Sequence, residues 1–275
     1  MDRYCVMGNP VEHSKSPWIH ARFAQLTGQQ LEYTKRLVPL GGFAAAVAEF
    51  RAQGGKGCNV TVPFKFESPA IATRLTPRAQ LAQASNTLKF DGDDVLGDNT
   101  DGIGLVNDVL RNAGVDIAAH DILLVGAGGA AAGVLAPLIE AGPRRIVVAN
   151  RTASKAVDLI ARHTSLAAGR GVELTASDLD STGHGFDIVI NATATSMAGA
   201  SVPVNGAVLK PGALACDLMY GPLSQGFLAW AAEHGATGRD GLGMLVEQAA
   251  EAFFLWRGVR PPAAPVLAEL RASLA

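Results

Sequence analysis

Two side chains in the first part of the chain have the chemical types needed for proton transfer. Lys65 ends the stretch NVTVPFK, where an apolar strand stops and leaves a lysine between two phenylalanines, and Asp101 lies in DNTDG before a helix. A lysine and a carboxylate within hydrogen-bond reach can act as an acid–base couple. Each also fits a plainer role, Lys65 as a surface lysine lying along apolar neighbours and Asp101 as a helix N-cap. They are therefore a candidate catalytic pair, with both alternatives open.

Other polar side chains nearby in the sequence are suited to binding a small ligand. Ser14 and Ser16 stand beside a predicted helix N-terminus, where hydroxyl and backbone N–H groups can hold a carboxylate. Asn86 can donate to and accept from the hydroxyl groups of a polyhydroxylated ring. Taken alone, Ser16 fits better as the N-cap of a helix with Pro17 at its first position. The group predicts a site for a polar small molecule.

A glycine-rich turn near the middle of the chain indicates a dinucleotide site. The turn GAGGAA at 126–131 follows the apolar strand DILLVG and precedes a helix. Glycines let the chain turn tightly and bring backbone N–H groups against a pyrophosphate, whose charge the helix N-terminus favours. The alternative is a turn that only packs strand against helix, but the placement directly after a strand favours the dinucleotide.

The end of the next strand predicts NADP rather than NAD. NAD-selective folds carry an acidic residue there, about 20 residues past the glycines, to bind the ribose 2′-hydroxyl. This chain has Asn150-Arg151-Thr152 at that place and Lys155 one helical turn onward. Arg151 can form a charge-assisted fork with a 2′-phosphate, and Lys155 adds a second positive charge. The alternative is that Thr152 caps a helix start that two solvated cations flank.

The elements that position these residues alternate between strand and helix, and residues 86–98 form a hairpin around Asp91-Gly92-Asp93. The predicted strands are 3–8, 31–38, 57–62, 86–90, 95–98, 121–126, 144–150, 172–175, 186–191 and 213–218, and the predicted helices are 17–26, 43–53, 129–141, 153–163, 242–257 and 264–273, with a further helix opening near Asp101. We expect two α/β domains separated by a cleft, the second of them Rossmann-like and doubly wound. The predicted boundaries are 1–101 for the substrate-binding and catalytic domain, 102–238 for the NADP-binding domain, and 239–275 for C-terminal helices that pack back on the first domain.

Composition excludes several classes of protein. The 275 residues are 48% hydrophobic and 17% charged, which is enough apolar sequence for two buried cores. A formal net charge of −2 with mixed signs offers no basic surface for nucleic acid or anionic lipid. Three scattered cysteines without a CxxC pair indicate neither disulfides nor a metal site.

The same features bear on location and partners. The N-terminus lacks the apolar stretch of a signal peptide, and glycines interrupt the uncharged stretch 122–139, so that it reads as a strand, a turn and a helix rather than as a membrane span. We therefore expect a cytoplasmic monomer or homodimer with a small-molecule partner and no contact with membrane.

The motifs together carry a resemblance to a known family. In chain order they are GNPVEHSKSP, NVTVPFK, SNTL, DNTDGIG, VGAGGAA, ANRT, NAT, DLMYGP and DGLGMLVEQAA. In this order and spacing, the chain resembles the shikimate dehydrogenase family over essentially its whole length. The resemblance implies reversible NADPH-dependent reduction of 3-dehydroshikimate to shikimate, a step of chorismate and aromatic amino acid biosynthesis.

The resemblance also implies a role for each motif residue. Lys65 is the catalytic acid–base residue, acting together with Asp101, and the substrate lies between the domains without any metal. The residues implied to surround shikimate are Ser14, Ser16, Thr61, Asn86, Asp101, Tyr220 and Gln248. Those implied to bind NADP are Gly126, Ala127, Gly128, Gly129 and Ala130 at the pyrophosphate, Asn150, Arg151, Thr152 and Lys155 at the 2′-phosphate, and Leu218 and Gly241 near the nicotinamide.

Two residues depart from the family pattern. Ser196 in NATATSMAG stands where the family often has glycine, and Ser85 stands before Asn86 where an apolar residue is common. If residue 196 needs a positive φ, its side chain hinders close backbone approach at the nicotinamide and alters cofactor affinity.

Three other functions compete with this interpretation. A quinate/shikimate dehydrogenase would accept NAD or a second cyclitol acid, and Arg151 argues against NAD. A non-catalytic NADP-binding regulatory protein would be expected to lack Lys65 or Asp101, and both are present. A methyltransferase would more often carry an acid after the second strand, where Asn150-Arg151 stands.

Overall fold

Two β-sheets organise the chain, and each belongs to a different unit of the fold. The structure, a computed structural model, describes residues 1–193 and 202–274. The first unit is Met1–Gly104 with Val246–Ala275, and the second unit is Leu105–Leu245. The second unit therefore extends beyond the predicted boundary at residue 238, and the chain returns to the first unit at Val246.

The alternation of strands and helices along the chain confirms the predicted α/β class. The strands are β1 Asp2–Gly8, β2 Leu31–Leu37, β3 Gly55–Val60, β4 Arg74–Leu75, β5 Thr87–Asp91, β6 Asp94–Asp98, β7 Asp121–Val125, β8 Arg145–Ala149, β9 Glu173–Ser177, β10 Phe186–Asn191, β11 Leu209–Asp217 and β12 Thr237–Arg239. The α-helices are α1 Ser16–Thr27, α2 Phe43–Ala52, α3 Pro77–Ala82, α4 Asp101–Asn107, α5 Gly129–Glu140, α6 Ala153–Arg170, α7 Gln225–Glu233, α8 Leu242–Arg257 and α9 Ala263–Leu274.

The sheet of the first unit is mixed, with strand order β2-β1-β3-β5-β6-β4. Strands β2, β1 and β3 are parallel, whereas β5 runs antiparallel to both β3 and β6. The predicted hairpin is confirmed, because β5 and β6 pair from Thr87↔Asp98 to Asp91↔Asp94 with Gly92 at a positive φ in the turn. A cluster that includes Phe43, Phe64 and Leu88 is fully buried against this sheet.

The sheet of the second unit is parallel throughout, with strand order β12-β11-β10-β7-β8-β9. Numbered within the unit and read from β9, this is the order 3-2-1-4-5-6 of doubly wound dinucleotide-binding folds. After a charged first residue, Asp121 in β7 and Arg145 in β8, these strands are apolar and buried, as expected for strands covered on both faces. In such a sheet ligands bind beyond the carboxyl ends of the strands, at the point where the strand order reverses, which here lies between β7 and β10.

Several element boundaries differ from the predicted ones for identifiable reasons. β3 ends at Val60, because Thr61 turns the chain into a short 3₁₀ helix at Phe64–Phe66 and Pro63 has no N–H to continue a ladder. α6 runs on to Arg170, where Gly171 at φ 69° ends it. The sequence analysis also missed α3, α7 and the short edge strands β4 and β12.

The uncharged stretch 122–139 is divided as predicted between β7, a turn and α5. None of the helices in the described residues combines the length and the apolar character that a membrane-spanning helix needs. Within 1–193 and 202–274, no group of three or more His, Cys, Asp or Glu residues is placed to hold a metal ion.

Candidate functional site

Lys65 and Asp101 form a short, largely buried ion pair. Lys65 lies in the 3₁₀ helix that follows β3, Asp101 is the first residue of α4, and the Lys65 Nζ donates to the Asp101 Oδ2 at 2.6 Å. The two side chains are only 18% and 7% exposed, so the interpretation of Lys65 as a surface lysine is wrong. Of its two aromatic neighbours, Phe64 is fully buried but Phe66 is 53% exposed. The pair is strong because both partners are charged and partly desolvated.

Asn86 holds the other oxygen of the Asp101 carboxylate. Its Nδ2 donates to the Asp101 Oδ1 at 2.8 Å and lies 3.3 Å from the Gln248 Oε1, while its Oδ1 accepts from the Thr100 backbone N–H at 2.8 Å. Asn86 is buried at the start of the β5–β6 hairpin, and Gln248 lies on α8 in the same unit. The first unit therefore brings together Lys65, Asn86, Asp101 and Gln248.

Ser14 and Ser16 form a second polar group in the first unit. Their hydroxyl oxygens lie 3.2 Å apart, and the Ser16 backbone N–H donates to the Ser14 Oγ at 3.3 Å. The N-cap of α1 is Lys15, and Ser16 is already inside the helix, so the N-cap role favoured for Ser16 is wrong. No direct hydrogen bond joins this serine pair to the Lys65–Asp101 pair among the residues that the structure describes.

Thr61 lies where β3 ends beside the end of β1. Its backbone N–H donates to the Met7 carbonyl at 2.9 Å, and a Cβ at Gly8 would approach the Thr61 Cγ2 to 2.3 Å. Only glycine at position 8 leaves room for this close approach. Gly8 therefore fixes the position of Thr61 and was missed by the sequence analysis, although a glycine at a strand end is the signal for such a contact.

The glycine-rich turn lies at the switch point of the second sheet. Gly126 follows β7 at φ +116°, and a Cβ there would lie 3.0 Å from the Ala192 carbonyl group at the end of β10. Gly128 is the extended N-cap of α5, and a Cβ built on it would meet no atom within 4 Å. The first turn of a helix leaves N–H groups without intrahelical acceptors. Residues 126–130 thus surround open space in front of a helix N-terminus, which fits a pyrophosphate.

Arg151 and Lys155 present two exposed cations beside the end of β8. Asn150 braces this turn, because its Nδ2 donates to the Thr152 carbonyl at 2.9 Å. Thr152 occupies the N-cap position of α6, but its side chain makes no capping hydrogen bond. Arg151 and Lys155 have no ion-pair partner within the described ranges. Both charges are therefore available to a phosphate.

Leu218 and Gly241 are brought together in the second unit. A Cβ on Gly241 would lie 2.4 Å from the Leu218 carbonyl oxygen, and the Gly241 N–H donates to the Met219 carbonyl at 2.8 Å. Tyr220, which follows this loop, is half-buried, and burial raises the pKa of its phenol. The phenol therefore stays protonated and can donate a hydrogen bond.

Four polar residues of the first unit were not singled out in the sequence. Asn59, Thr87 and Thr100 are buried and hydrogen-bonded around Asn86, and Tyr33 donates to Asn59. Polar residues within apolar strands were the available signal for Asn59 and Thr87. A buried hydrogen bond also accounts for one departure from the family pattern, because the buried Ser85 hydroxyl donates to the Ser68 hydroxyl at 2.6 Å. The other departure, Ser196, lies outside the described residues.

The second unit also contains a buried ion pair that the sequence analysis missed. Arg239 reaches both carboxylate oxygens of Asp108, at 2.8 and 2.6 Å. Asp108 is 2% exposed, and Arg239 stands two residues before Gly241. The pair therefore joins the end of β12 to the segment that follows α4.

These features define a class of protein, a nucleotide-dependent oxidoreductase that joins a dinucleotide-binding unit to a unit with a lysine–carboxylate pair. Models of three shikimate dehydrogenase domains match the chain: the substrate binding domain at residues 6–88, shikimate/quinate 5-dehydrogenase at 108–200 and the shikimate 5′-dehydrogenase C-terminal domain at 241–271.

Individual proteins agree with these models over the full length of the chain. A relative from Acidovorax sp. (strain JS42) named shikimate dehydrogenase (NADP(+)) is 63% identical and covers 100% of this chain and 97% of its own. The crystal structure of shikimate 5-dehydrogenase from Thermus thermophilus in complex with NADP(H) and shikimate is 31% identical, with a TM-score of 0.86 and 100% of both chains covered. The crystal structure of an Ael1 enzyme from Pseudomonas putida is 46% identical, with a TM-score of 0.90 and 98% of both chains covered. The chain belongs to the shikimate dehydrogenase family.

Proposed function

We propose that this chain catalyses the reversible reduction of 3-dehydroshikimate to shikimate with NADPH, in chorismate and aromatic amino acid biosynthesis. The observation that carries the proposal is the 2.6 Å contact of Lys65 with Asp101, held beside Asn86 and Gln248 in one unit. The name of the Acidovorax relative and the ligands of the Thermus structure support the same substrate and cofactor.

The second unit binds the cofactor. Backbone N–H groups of Gly126, Ala127, Gly128, Gly129 and Ala130 hold the pyrophosphate, and Leu218 and Gly241 line the nicotinamide end. Arg151 and Lys155 bind the 2′-phosphate, with Asn150 and Thr152 shaping the turn that presents them. When bound, NADPH supplies the hydride that reduces the C3 ketone.

Lys65 transfers the proton in both directions of the reaction. In reduction its ammonium group donates a proton to the developing alkoxide at C3, and in oxidation its amine accepts the hydroxyl proton. Asp101 orients Lys65 through the Oδ2 and keeps its Oδ1 engaged by Asn86. A fixed donor at the reacting oxygen lowers the barrier because little reorganisation remains at the moment of reaction.

The remaining residues of the site hold the ring in place. Ser14 and Ser16 bind the substrate carboxylate near the start of α1, and Thr61, Asn86, Asp101, Tyr220 and Gln248 bind the ring hydroxyl groups. Fixing the carboxylate determines which ring face meets the nicotinamide. The first unit is thus the substrate-binding and catalytic domain, and the second unit is the NADP-binding domain.

We further propose that the protein works in the cytoplasm as a monomer or homodimer, without nucleic acid or membrane partners. The mixed charges and the three free cysteines support this proposal.

The first experiment is a comparison of initial rates of shikimate oxidation, followed by absorbance of the reduced cofactor, with NADP, NAD and quinate exchanged in turn. We expect a strong preference for shikimate with NADP. Comparable rates with NAD or quinate would move the chain to the broader quinate/shikimate class. No activity with any pair would instead favour a non-catalytic NADP-binding protein.

A further inference from the structure

A continuous series of buried hydrogen bonds joins Tyr33, on β2 of the first sheet, to the Asp101 carboxylate. The Tyr33 hydroxyl lies 2.6 Å from the Asn59 Oδ1, and the Asn59 Nδ2 lies 3.0 Å from the Thr87 Oγ1. The Thr87 Oγ1 lies 2.9 Å from the Asn86 Oδ1, and the Asn86 Nδ2 lies 2.8 Å from the Asp101 Oδ1. We call these five residues the Tyr33 relay. Its geometry follows from strand pairing, because Asn59 on β3 and Thr87 on β5 are direct cross-strand partners.

Two backbone groups, a carbonyl that can only accept and an N–H that can only donate, fix the direction of every bond in the relay. The Asn59 Nδ2 also faces the Asn86 carbonyl at 3.3 Å, which can only accept, so the Asn59 Oδ1 must face Tyr33 and the phenol must donate. At the other end, the Thr100 backbone N–H can only donate, and its acceptor is the Asn86 Oδ1 at 2.8 Å. The Asn86 Nδ2 must therefore face Asp101. All donors point from Tyr33 towards the carboxylate.

The Tyr33 ring is held in place independently of its hydroxyl. It stacks on His20 with ring centroids 4.3 Å apart and an interplanar angle of 6°, and the Trp256 ring lies 6.2 Å away. Burial lowers the pKa of His20 to about 3, so a neutral imidazole packs against the phenol. Burial also raises the pKa of Tyr33 well above its ordinary value, whereas a hydrogen bond from Ser16 lowers it. The phenol is thus a permanent donor that also neighbours one of the two carboxylate-binding serines.

We propose that Tyr33 is a positioning residue of the shikimate dehydrogenase reaction, acting through Asn59 and Thr87 on the Asn86 amide that orients Asp101. The inference rests on the proposed function. The Tyr33 hydroxyl touches none of the reacting groups, and it fixes which way each amide of the relay points. Without that donor the Asn59 Oδ1 is buried without its partner, and turning the amide over would place its oxygen against the Asn86 carbonyl. The Asn86 amide and, with it, the Asp101 carboxylate then lose their fixed orientation towards Lys65.

The test removes the Tyr33 hydroxyl and compares it with a matched phenol. We expect Tyr33→Phe to lower kcat for shikimate oxidation about three- to tenfold, the factor that corresponds to one net hydrogen bond, with KM for NADP unchanged. The control is Tyr4→Phe. Tyr4 is the register partner of Tyr33 on β1, is also buried and stacks on Trp256 at 4.6 Å, but its hydroxyl lies near Arg257 rather than in the relay. Tyr4→Phe should keep the wild-type kcat.

A second pair of variants tests the relay from its middle. Thr87→Val removes the hydroxyl that links Asn59 to Asn86, whereas Thr87→Ser retains it. We expect Thr87→Val to lower kcat at least as much as Tyr33→Phe and Thr87→Ser to restore most of it. The double variant Tyr33→Phe/Thr87→Val should be no slower than Thr87→Val alone, because the effect of Tyr33 passes through Thr87. A merely structural role for Tyr33 would give additive losses.

The outcomes separate this inference from the proposed function. If the wild-type protein oxidises shikimate with NADP but Tyr33→Phe matches Tyr4→Phe in kcat, the relay has no positioning role. Additive losses in the double variant overturn it as well. If Tyr33→Phe fails to fold, the contrast between Thr87→Val and Thr87→Ser decides the question. A wild-type protein without activity would contradict the proposed function itself.

Discussion

At the scale of single residues, the Asp101 carboxylate divides its two oxygens between two tasks. The Oδ2 receives the Lys65 ammonium, and the Oδ1 receives the Asn86 amide. A carboxylate anchored on both sides has little freedom to rotate, so the lysine it holds is also fixed in direction. The sequence suggested the pair, but the distance between the two residues, and Asn59, Thr87 and Tyr33 behind them, depend on cross-strand pairing that spacing along the chain does not reveal.

Removing the lysine should separate turnover from binding. We expect Lys65→Ala to lower kcat by about 10² to 10⁴, the range attributed to a positioned acid–base group, with a modest change in the dissociation constant of shikimate. Initial rates and calorimetric titration would measure the two quantities. Lys56→Ala is the control, because Lys56 is exposed on β3, the strand that precedes Lys65. Near-normal turnover in Lys65→Ala would sink the assignment of Lys65.

Removing the arginine at the end of β8 should change the choice of cofactor. We expect Arg151→Ala to raise KM for NADP about tenfold or more, because a charge-assisted fork to the 2′-phosphate is lost, and to leave KM for NAD nearly constant. Steady-state rates with both cofactors provide the measurement. Arg170→Ala, at the exposed far end of α6, should change neither value. An equal rise in KM for both cofactors would argue against a phosphate contact at Arg151.

At the scale of elements, hydrophobic periodicity and turn-forming residues predicted most strands and long helices. These local signals failed where tertiary contacts determine whether an element forms. The hairpin β5–β6 and the helix α5 carried strong local signals in Asp91-Gly92-Asp93 and the glycine-rich turn. α7 was missed because it begins without a side-chain cap and has Gly226 in its first turn, which are weak local signals for a helix. Its packing against β11 and β12 is a tertiary contact that the local sequence does not reveal. The predicted end of α6 came too early, because Gly171, the residue that ends the helix, was overlooked.

The turn between β7 and α5 allows fold and cofactor binding to be tested separately. We expect Gly128→Ala to keep the Tm of the cofactor-free protein and to weaken NADP binding, because its new Cβ meets only the open space before the helix. Gly126→Ala should lower the Tm itself, because a φ of +116° and a 3.0 Å approach to Ala192 strain any side chain there. Thermal unfolding with and without NADP would measure both. A Gly128→Ala protein with wild-type NADP affinity would argue against a pyrophosphate at this turn.

At the scale of the whole molecule, all three cysteines are buried and unpaired, and they report on both units. Cys5 and Cys58 lie side by side on β1 and β3 of the first unit, and Cys216 lies on β11 of the second. A hydrogen bond with Cys5, together with burial, raises the pKa of Cys58 well above its ordinary value, and burial raises the pKa of Cys216 to about 12. Few thiolates therefore form at Cys58 and Cys216 at neutral pH while the units stay folded.

Thiol labelling should consequently measure the opening of each unit. We expect modification of the native protein at least about a thousandfold slower than that of the unfolded chain, because the reagent reaches only transiently opened molecules. Saturating NADP should slow the labelling of Cys216 more than that of Cys5 and Cys58, since ligand binding stabilises the unit that holds it. Mass spectrometry of timed samples would assign each site. Equal protection of all three cysteines would indicate that the two units open together.

The division of the chain also orders events on the ribosome. Residues 1–104 emerge before the second unit, but their own unit also includes α8 from Val246 onwards and α9. The contacts of α8 include the bond from the Trp256 indole to the Leu88 carbonyl at 3.0 Å and the stacking of Trp256 on Tyr4. The second unit is a continuous segment and can fold as soon as Leu245 has left the exit tunnel. Of the two units, the first therefore begins synthesis earlier but is completed later. Its core stays incomplete while the dinucleotide-binding unit is being translated.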